Sequence, residues 1–315
     1  MSLATTIILL STDEGGYLRR SLPLAMAQEG AEVIVFDNGS SDDTADLARE
    51  HGADLRRFAE RLAYTQAMNR ALTESAGEAV LLLNPDCFLD PDFLRAARPR
   101  LEEKAVGSVA PKLIRTVGPE PSQHLDALDA AGMTIDRNRK NGLVGHGRPA
   151  LGPDLPGEVF GVDGAAALYR RETIEECMVE GEVMDTDFGR WTCDVDLAWR
   201  ARLLGWRCVY EPRAVAHHIR YFSPSSRADM PVADRREQFR NRYLMMLKND
   251  IAADLRRDLG RILAYELLAL AYVLLRERHL LGGYVSAARL AGPALRKRRT
   301  IQARRRVATV PLRTC

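Results

Sequence analysis

Over residues 1–86, short apolar runs alternate with stretches of helical periodicity, and that alternation leaves few folds open. Residues 5–10, 32–36 and 80–83 are strand-like runs of Val, Ile, Leu and Phe, and a shorter run lies at 55–58. Helical segments fall between them, at 17–28, up to His51, and at 63–75; Ser41 or Asp42 can cap the second of these. A β-α-β-α-β-α-β order predicts a parallel sheet with right-handed crossovers and helices on both faces. In open sheets of this kind, ligands bind beyond the carboxyl ends of the strands.

Each of the three main runs ends in polar residues. Ser11-Thr12-Asp13-Glu14-Gly15-Gly16 follows the first, and Asp37-Asn38-Gly39-Ser40 the second. The third, VLLL at 80–83, runs straight into Asn84-Pro85-Asp86. Pro85 stops the ladder, because it has no N–H to donate and keeps Asn84 extended. Asp86 is therefore delivered at the ligand-binding edge, where a carboxylate can hold a divalent metal against a diphosphate. The plainer role for Asp86 is a cap on the turn before Phe88-Leu89.

Further along, a helix is predicted at 93–103, a strand at 106–111, and a long, weakly periodic excursion at 112–158 that passes over the same edge. Residues 159–169 return to the core, and Gly164-Ala165-Ala166-Ala167 allows close approach of a ligand or a packed helix. A helix plausible from Asp194 carries Asp194 and Asp196 in its first turn; Leu197, Ala201 and Leu204 form its apolar face, and Gly205 stops it. Two aspartates at a helix start are ordinarily caps and dipole partners. Residues 209–212 read as an edge strand and 214–218 as the next, ending in His217-His218, a metal ligand and its neighbour or structural histidines.

Charge is unevenly placed. Residues 251–315 carry 14 Lys and Arg against 4 Asp and Glu, a balance of +10, and the first 250 carry 31 against 39, a balance of −8. An acidic body with a basic tail predicts that the tail meets the anionic surface. The apolar run at 262–275 is too short to span a bilayer, and Glu266 interrupts it. An amphipathic helix followed by Arg296-Lys297-Arg298-Arg299 and Arg304-Arg305-Arg306 suits an anionic membrane; the competing arrangement is a helical hairpin packed on the body. Nucleic acid is a poor fit, since no aromatic residue interleaves the basic run. Five cysteines with no C-x-x-C give neither a disulfide framework nor a zinc spacing, which favours a reducing compartment. The N-terminus has no basic n-region and reads as the first core strand.

Six motifs, in order across residues 5–249, resemble the inverting glycosyltransferase family 2 with its GT-A fold, and more narrowly its rhamnosyltransferase-type members that build bacterial surface polysaccharides. They are VFDNGSSDDT at 35–44, LLLNPD at 81–86, GAAALYRRE at 164–172, CDVDLAWRARLLGWR at 193–207, PRAVAHH at 212–218 and RNRYLMMLKN at 240–249. The resemblance implies an α/β, Rossmann-like GT-A fold with a mainly parallel sheet. It implies a catalytic domain at 1–249, with a nucleotide-binding half at 1–111 and an acceptor-binding half at 112–249, and a helical basic extension at 250–315. Asp37 would contact the nucleoside of a sugar-nucleotide donor, with Ser11, Asp13 and Asn38 beside it. Asp86 would bind Mg²⁺ or Mn²⁺, Asn84 taking the place of the first Asp of the family's D-x-D-like motif, and His218 would complete the metal site. Asp194 would be the catalytic base, with Asp196 in reserve. A glycan or lipid-linked acceptor implies work in the cytoplasm, at the inner face of the cell membrane.

Two positions depart from the family pattern. Cys193 stands where a Glu normally precedes the base, and Arg61-Leu62-Ala63-Tyr64 replaces an Asn-x-Gly-Phe segment. They motivate an alternative of another class, a catalytically silent sugar-nucleotide-binding relative or assembly subunit. A nucleotidyltransferase is disfavoured, because the loop after the first strand is acidic and has no Lys.

Overall fold

The computed structural model describes residues 3–150 and 154–312; Cys315 lies outside them. The predicted alternation is present: β1 (Thr5–Ser11), α1 (Gly15–Met26), β2 (Ala31–Asp37), α2 (Thr44–Glu50), β3 (Asp54–Arg57), α3 (Tyr64–Thr73) and β4 (Ala79–Leu83). There follow β5 (Cys87–Leu89), α4 (Phe93–Ala97), β6 (Val106–Thr116), β7 (His124–Ala130), β8 (Met133–Ile135), β9 (Asn141–Leu143), β10 (Gly157–Val159) and β11 (Ala166–Arg170). The chain ends in α5 (Arg171–Glu176), α6 (Cys193–Leu203), β12 (Arg207–Ile219), α7 (Val232–Asn249), α8 (Ala252–Leu275) and α9 (Leu281–Arg304).

The main sheet runs β10-β12-β6-β11-β4-β1-β2-β3, with β5 added to β12 and β7 to β6. β4, β1, β2 and β3 are mutually parallel, as are β6 and β12, while β11 is antiparallel to both its neighbours. β4 lies in the middle with every residue buried, which is why its sequence is a continuous apolar run. One face packs Leu18, Leu22, Leu47 and Phe93, and the other packs Phe36, Met68, Tyr169 and Trp199.

Three expectations change. The edge strand at 209–212 and its successor are one strand, β12, inside the sheet between β10 and β6. Its register on β6 slips between Glu211 and Val215, a bulge that accommodates Pro212 without a ladder donor. The excursion at 112–158 is partly a sheet extension, since β6 continues to Thr116, β7 folds back on it, and β8 and β9 pair as a small ribbon. The expected helix at 93–103 is α4 followed by a 3₁₀ turn at Arg98–Glu102.

The C-terminal helices are tied down by buried charges. Lys297 on α9 reaches Asp185 (2.6 Å) and Asp187 (2.8 Å), and Lys248 on α7 meets the same Asp185. Arg139, fully buried after β8, binds Asp250 (2.8 Å) and Asp258 on α8 (2.7 Å). Arg304 donates to the Met178 carbonyl and Arg306 to the Glu176 carboxylate, so much of the basic run is engaged by the protein itself.

Candidate active site

The strand ends bring Ser11, Asp37 and Asp86 to one edge. Ser11 and Asp37 are register partners at the last pair of β1 and β2, and Asp86 follows β4, whose Leu83 pairs with Leu9. The turn carrying Asp86 is fixed at both ends: Asn84 donates to the Ala165 carbonyl (2.9 Å) and Cys87 to the Asn84 carbonyl (3.1 Å). Ser11 is fully buried, its hydroxyl 3.3 Å from that of Thr44.

Asn38 and Asp13 are largely occupied in shaping the loops. The Asn38 amide donates to Thr12 and the Leu62 carbonyl and accepts from the Leu62 N–H (2.8 Å), clamping the segment that replaces the family's Asn-x-Gly-Phe. Asp13 sits at φ 56°. It accepts from the Ser41 N–H (2.7 Å) and pairs with Arg61, and the Ser41 N–H, then Arg61, hold its carboxyl down at about 2.

Asp37 and Asp86 differ from their neighbours. Among the described residues, the buried carboxylate oxygens without a hydrogen bond are one on each of these two, Asp37 Oδ2 and Asp86 Oδ1. Arg57 Nε approaches Asp37 Oδ2 to 3.2 Å out of alignment for a hydrogen bond. His218 Nε2 stands 3.6 Å from Asp86 Oδ1, beyond hydrogen-bond range. A buried acceptor left unpaired costs about 1–3 kcal/mol, so each oxygen is suited to a ligand.

A chain of charges runs from Asp86 towards α6. His218 Nδ1 contacts Asp129 Oδ2 at 2.8 Å, which turns Nε2 towards Asp86. Arg220 bridges Asp129 (2.8 Å) and Asp163 (2.8 Å). Burial opposes charge on His218, yet the Asp129 and Asp86 carboxylates raise its pKa to about 9. His217, on the opposite face of β12, stacks on His124 with ring centres 3.5 Å apart and faces Asp90, away from Asp86. Of the two histidines, the strand's alternation brings only His218 to the site.

Asp194 lies in the first turn of α6, after Thr192 at φ 62°. It accepts from the Val195 N–H (2.8 Å) and the Gly164 N–H (3.2 Å). Burial, then the Asp163 carboxylate, push its pKa up to about 6 despite those donors. Asp196, one residue beyond the next, is fully buried and bound to Arg200 (3.0 Å), Lys248 (2.9 Å) and Asn249 (2.8 Å). It supports α6 and is closed to substrate, so the reserve base is set aside. Cys193 is buried, its thiol directed to the Arg190 carbonyl (3.4 Å), and burial raises its pKa so far that it stays neutral. Trp191 packs edge-on against Phe222, ring centres 6.2 Å apart.

The loop leading into α6 is held by three side chains from two helices. Asn69 on α3 accepts from the Met184 N–H (2.7 Å), and Glu237 on α7 from the N–H groups of Arg190 (2.8 Å) and Trp191 (3.1 Å). Asn241, also on α7 and fully buried, donates to the carbonyls of Phe188 (2.8 Å) and Trp191 (2.7 Å). The RNRYLMMLKN stretch thus positions the segment that presents Asp194.

Sequence reasoning missed Asp129, Asp163, Arg220 and Glu14. Arg220 follows His218 at i+2, a spacing that signals the same strand face. Burial, then the nearby Asp86 carboxylate, raise Glu14 to about 7. No group of three or more His, Cys, Asp or Glu among the described residues is arranged as a metal cage. Two donors nonetheless face each other, Asp86 Oδ1 and His218 Nε2, the latter oriented by Asp129 as histidine ligands commonly are.

Comparison with known proteins bears on this geometry. The family model described as "Glycosyl transferase family 2" matches residues 6–178. Asp194 and His218 lie beyond that match. The poly-beta-1,6-N-acetyl-D-glucosamine synthase of Staphylococcus aureus is 25% identical over 199 residues, which are 61% of this chain and 43% of that protein. The chain spans less than half the length of the curated relatives it matches. Residues 1–349 of S. aureus TarS, solved with UDP-GlcNAc, superpose with a TM-score of 0.57 at 15% identity, over 95% of this chain and 90% of that one. The mannosyltransferase PcManGT of Pyrobaculum calidifontis, solved with GDP-Man and Mn²⁺, gives 0.54 at 18%, over 96% and 85%. These likenesses establish the GT-A fold.

Proposed function

The chain belongs to glycosyl transferase family 2, and from that premise we propose that it is an inverting transferase moving a sugar from a nucleoside diphosphate to an acceptor hydroxyl. The observation that carries the reading is the pair of buried carboxylate oxygens on Asp37 and Asp86 that accept no hydrogen bond, at the ends of the strands that flank β1 on one sheet edge. Asp37, with Ser11, Asp13 and Asn38 shaping the pocket wall, binds the nucleoside. Asp86 and His218 would hold Mg²⁺ or Mn²⁺ together with donor phosphates, the imidazole giving up, as the cation binds, the proton that the Asp129 and Asp86 carboxylates favour on it. The small protein donor set suits these ions, which keep waters and substrate oxygens in their shell. Mn²⁺ in the PcManGT structure supports the same choice. When bound, the cation neutralises the leaving diphosphate.

Asp194 accepts the proton of the acceptor hydroxyl. That oxygen forms a bond to the anomeric carbon as the carbon–oxygen bond to the diphosphate breaks on the opposite side, and the configuration inverts. General-base catalysis of this kind contributes about 10²–10⁴ in rate. A base titrating at about 6 is ionised at neutral pH yet retains more proton affinity than an ordinary carboxylate. Residues 1–111 serve the donor and 112–249 the acceptor, and 250–315 are the extension. The acceptor is a glycan or lipid-linked glycan of surface polysaccharide synthesis at the cytoplasmic face of the membrane, and rhamnose is the first donor sugar to test, on the family resemblance alone.

The test is release of UDP, dTDP or GDP from a panel of sugar nucleotides, with Mg²⁺ or Mn²⁺ and then with EDTA, for wild type and Asp194→Asn. Release from one donor that EDTA and the substitution abolish is expected. The neutral, buried Cys193 favours one rival, a binding relative that no longer transfers. Metal-dependent donor binding, with no release when lipid-linked acceptors are supplied, would establish that rival. No binding to any donor by folded protein would overturn both.

A further inference from the structure

The second half of α8 turns a broad, charge-free surface outward. Leu263, Leu267, Leu268, Leu270, Leu274 and Leu275 are exposed, with Leu267, Leu268 and Leu275 at 70%, 72% and 77%. At 100° per residue, the arc from Leu270 to Leu268 covers about 160° of the helix circumference. A seam for a partner helix is narrower, confined to two positions in each heptad.

The charges around this surface are sorted by sign. All four acids between residues 252 and 278 turn inward. Asp254, Asp258 and Glu277 are buried, and Glu266 is bonded to Arg242 (2.6 Å) and Tyr243 (2.6 Å). Arg256 and Arg261 before the leucines, and Arg276 and Arg278 after them, are exposed. The leucine face is therefore framed by cations at both ends, with the anions withdrawn. A second copy of this helix is a poor occupant. Antiparallel pairing about a two-fold axis would lay the leading arginines of one copy against the trailing arginines of the other, and parallel pairing would set each against itself. No described helix is long and apolar enough to cross a membrane.

We propose that this face of α8 seats the protein on an anionic lipid surface, the leucines entering the headgroup–acyl boundary and the four arginines meeting lipid phosphates. The contact is made by the leucine face, whereas Lys297, Arg304 and Arg306 of the polybasic run are held by the protein. This deepens the membrane placement proposed above and rests on it, but not on catalysis.

The experiment is flotation of the full chain with phosphatidylcholine vesicles, with and without about a third phosphatidylglycerol. Wild type is expected to float with the anionic vesicles, less with the neutral ones, and less at high salt. Leu267→Asp/Leu275→Asp is expected to weaken partitioning at least ~10-fold, and Arg256→Glu/Arg261→Glu to remove the preference for anionic lipid. Both pairs are exposed, so an unchanged thermal melt verifies folding. Absence of flotation, or flotation unchanged by the leucine substitutions, would overturn the proposal. So would a wild-type dimer by light scattering that those substitutions dissociate. Donor turnover measured on the same samples separates the two readings, because flotation without turnover counts against the transferase and not against the lipid contact.

Discussion

At the scale of single residues, Asp194 ties activity and stability to one proton. Its pKa in the folded chain is about 6 against an ordinary 3.8. Between those values the folded state binds more protons than the unfolded one, so this group's contribution to stability falls as pH rises through the window and is fully unfavourable above it. Asp194→Asn is therefore expected to raise stability by about 1–3 kcal/mol at pH 8 and by little below pH 4, while transfer falls about 10²–10⁴-fold. Urea melts at the two pH values check the first half, and turnover the second. The acidic limb of kcat/KM for wild type should fall near pH 6. Asp86→Ala is expected to abolish metal-dependent donor binding, which calorimetric titration of donor with Mn²⁺ reads, and a thermal melt of the same variant verifies folding. The placement of Asp86, Asp37 and Asp194 at strand ends and a helix start was legible in the sequence from clear periodicity, while the roles proposed for them came from the family resemblance. Asp129, Asp163 and Arg220 were not legible, because their grouping depends on strand pairing between residues up to 91 positions apart.

At the scale of elements, α7 is the support on which the loop before α6 rests. Asn241→Ala strips donors from two carbonyls and is expected to cost about 2–4 kcal/mol. It should lower kcat more than it raises donor KM, because the disturbed segment carries Asp194 and not the strand ends; paired kinetic and urea measurements read the split. Arg139→Met leaves Asp250 without its guanidinium partner and is expected to cost about 3–5 kcal/mol, as breaking a buried ion pair does. β1, β2 and β4 could be read from hydropathy because burial on both faces makes them continuous apolar runs, whereas β3, DLRR at the sheet edge, is largely exposed and gives only a weak signal. β7 could not be read at all: Leu125, Leu128 and Ala131 recur every three residues, a helical beat, while Asp126 and Asp129 stand where an apolar strand would have none. β12 was divided in two because Pro212 looks like a break, whereas a bulge absorbs it within one strand.

At the scale of the whole molecule, the acidic body and basic tail of the sequence become an internal attraction. Lys297, Arg304 and Arg306 bind back across α5, α6 and the loop between them, and Asp250 and Asp258 take up Arg139. A chain ending at residue 249 is expected to melt at least ~10 °C lower than the full protein, since it leaves Arg139 and Asp185 short of partners in the interior; a scanning thermal melt of both decides it. Composition foretold the sign of each part, but not that the two would meet, because residue counts carry no geometry. The bulge in β12 has a further consequence for how such a chain can change over generations. Side chains alternate along the strand, so losing one residue from the paired stretch after the bulge would exchange the two histidines, turning His217 towards Asp86 and His218 outward, whereas the unpaired residues of the bulge can take up a change of length. Loops elsewhere can lengthen or shorten by any amount at little cost to this edge of the sheet. From Val215 to His218 only changes of an even number of residues preserve the inward face, so inheritance along this part of the strand proceeds by parity.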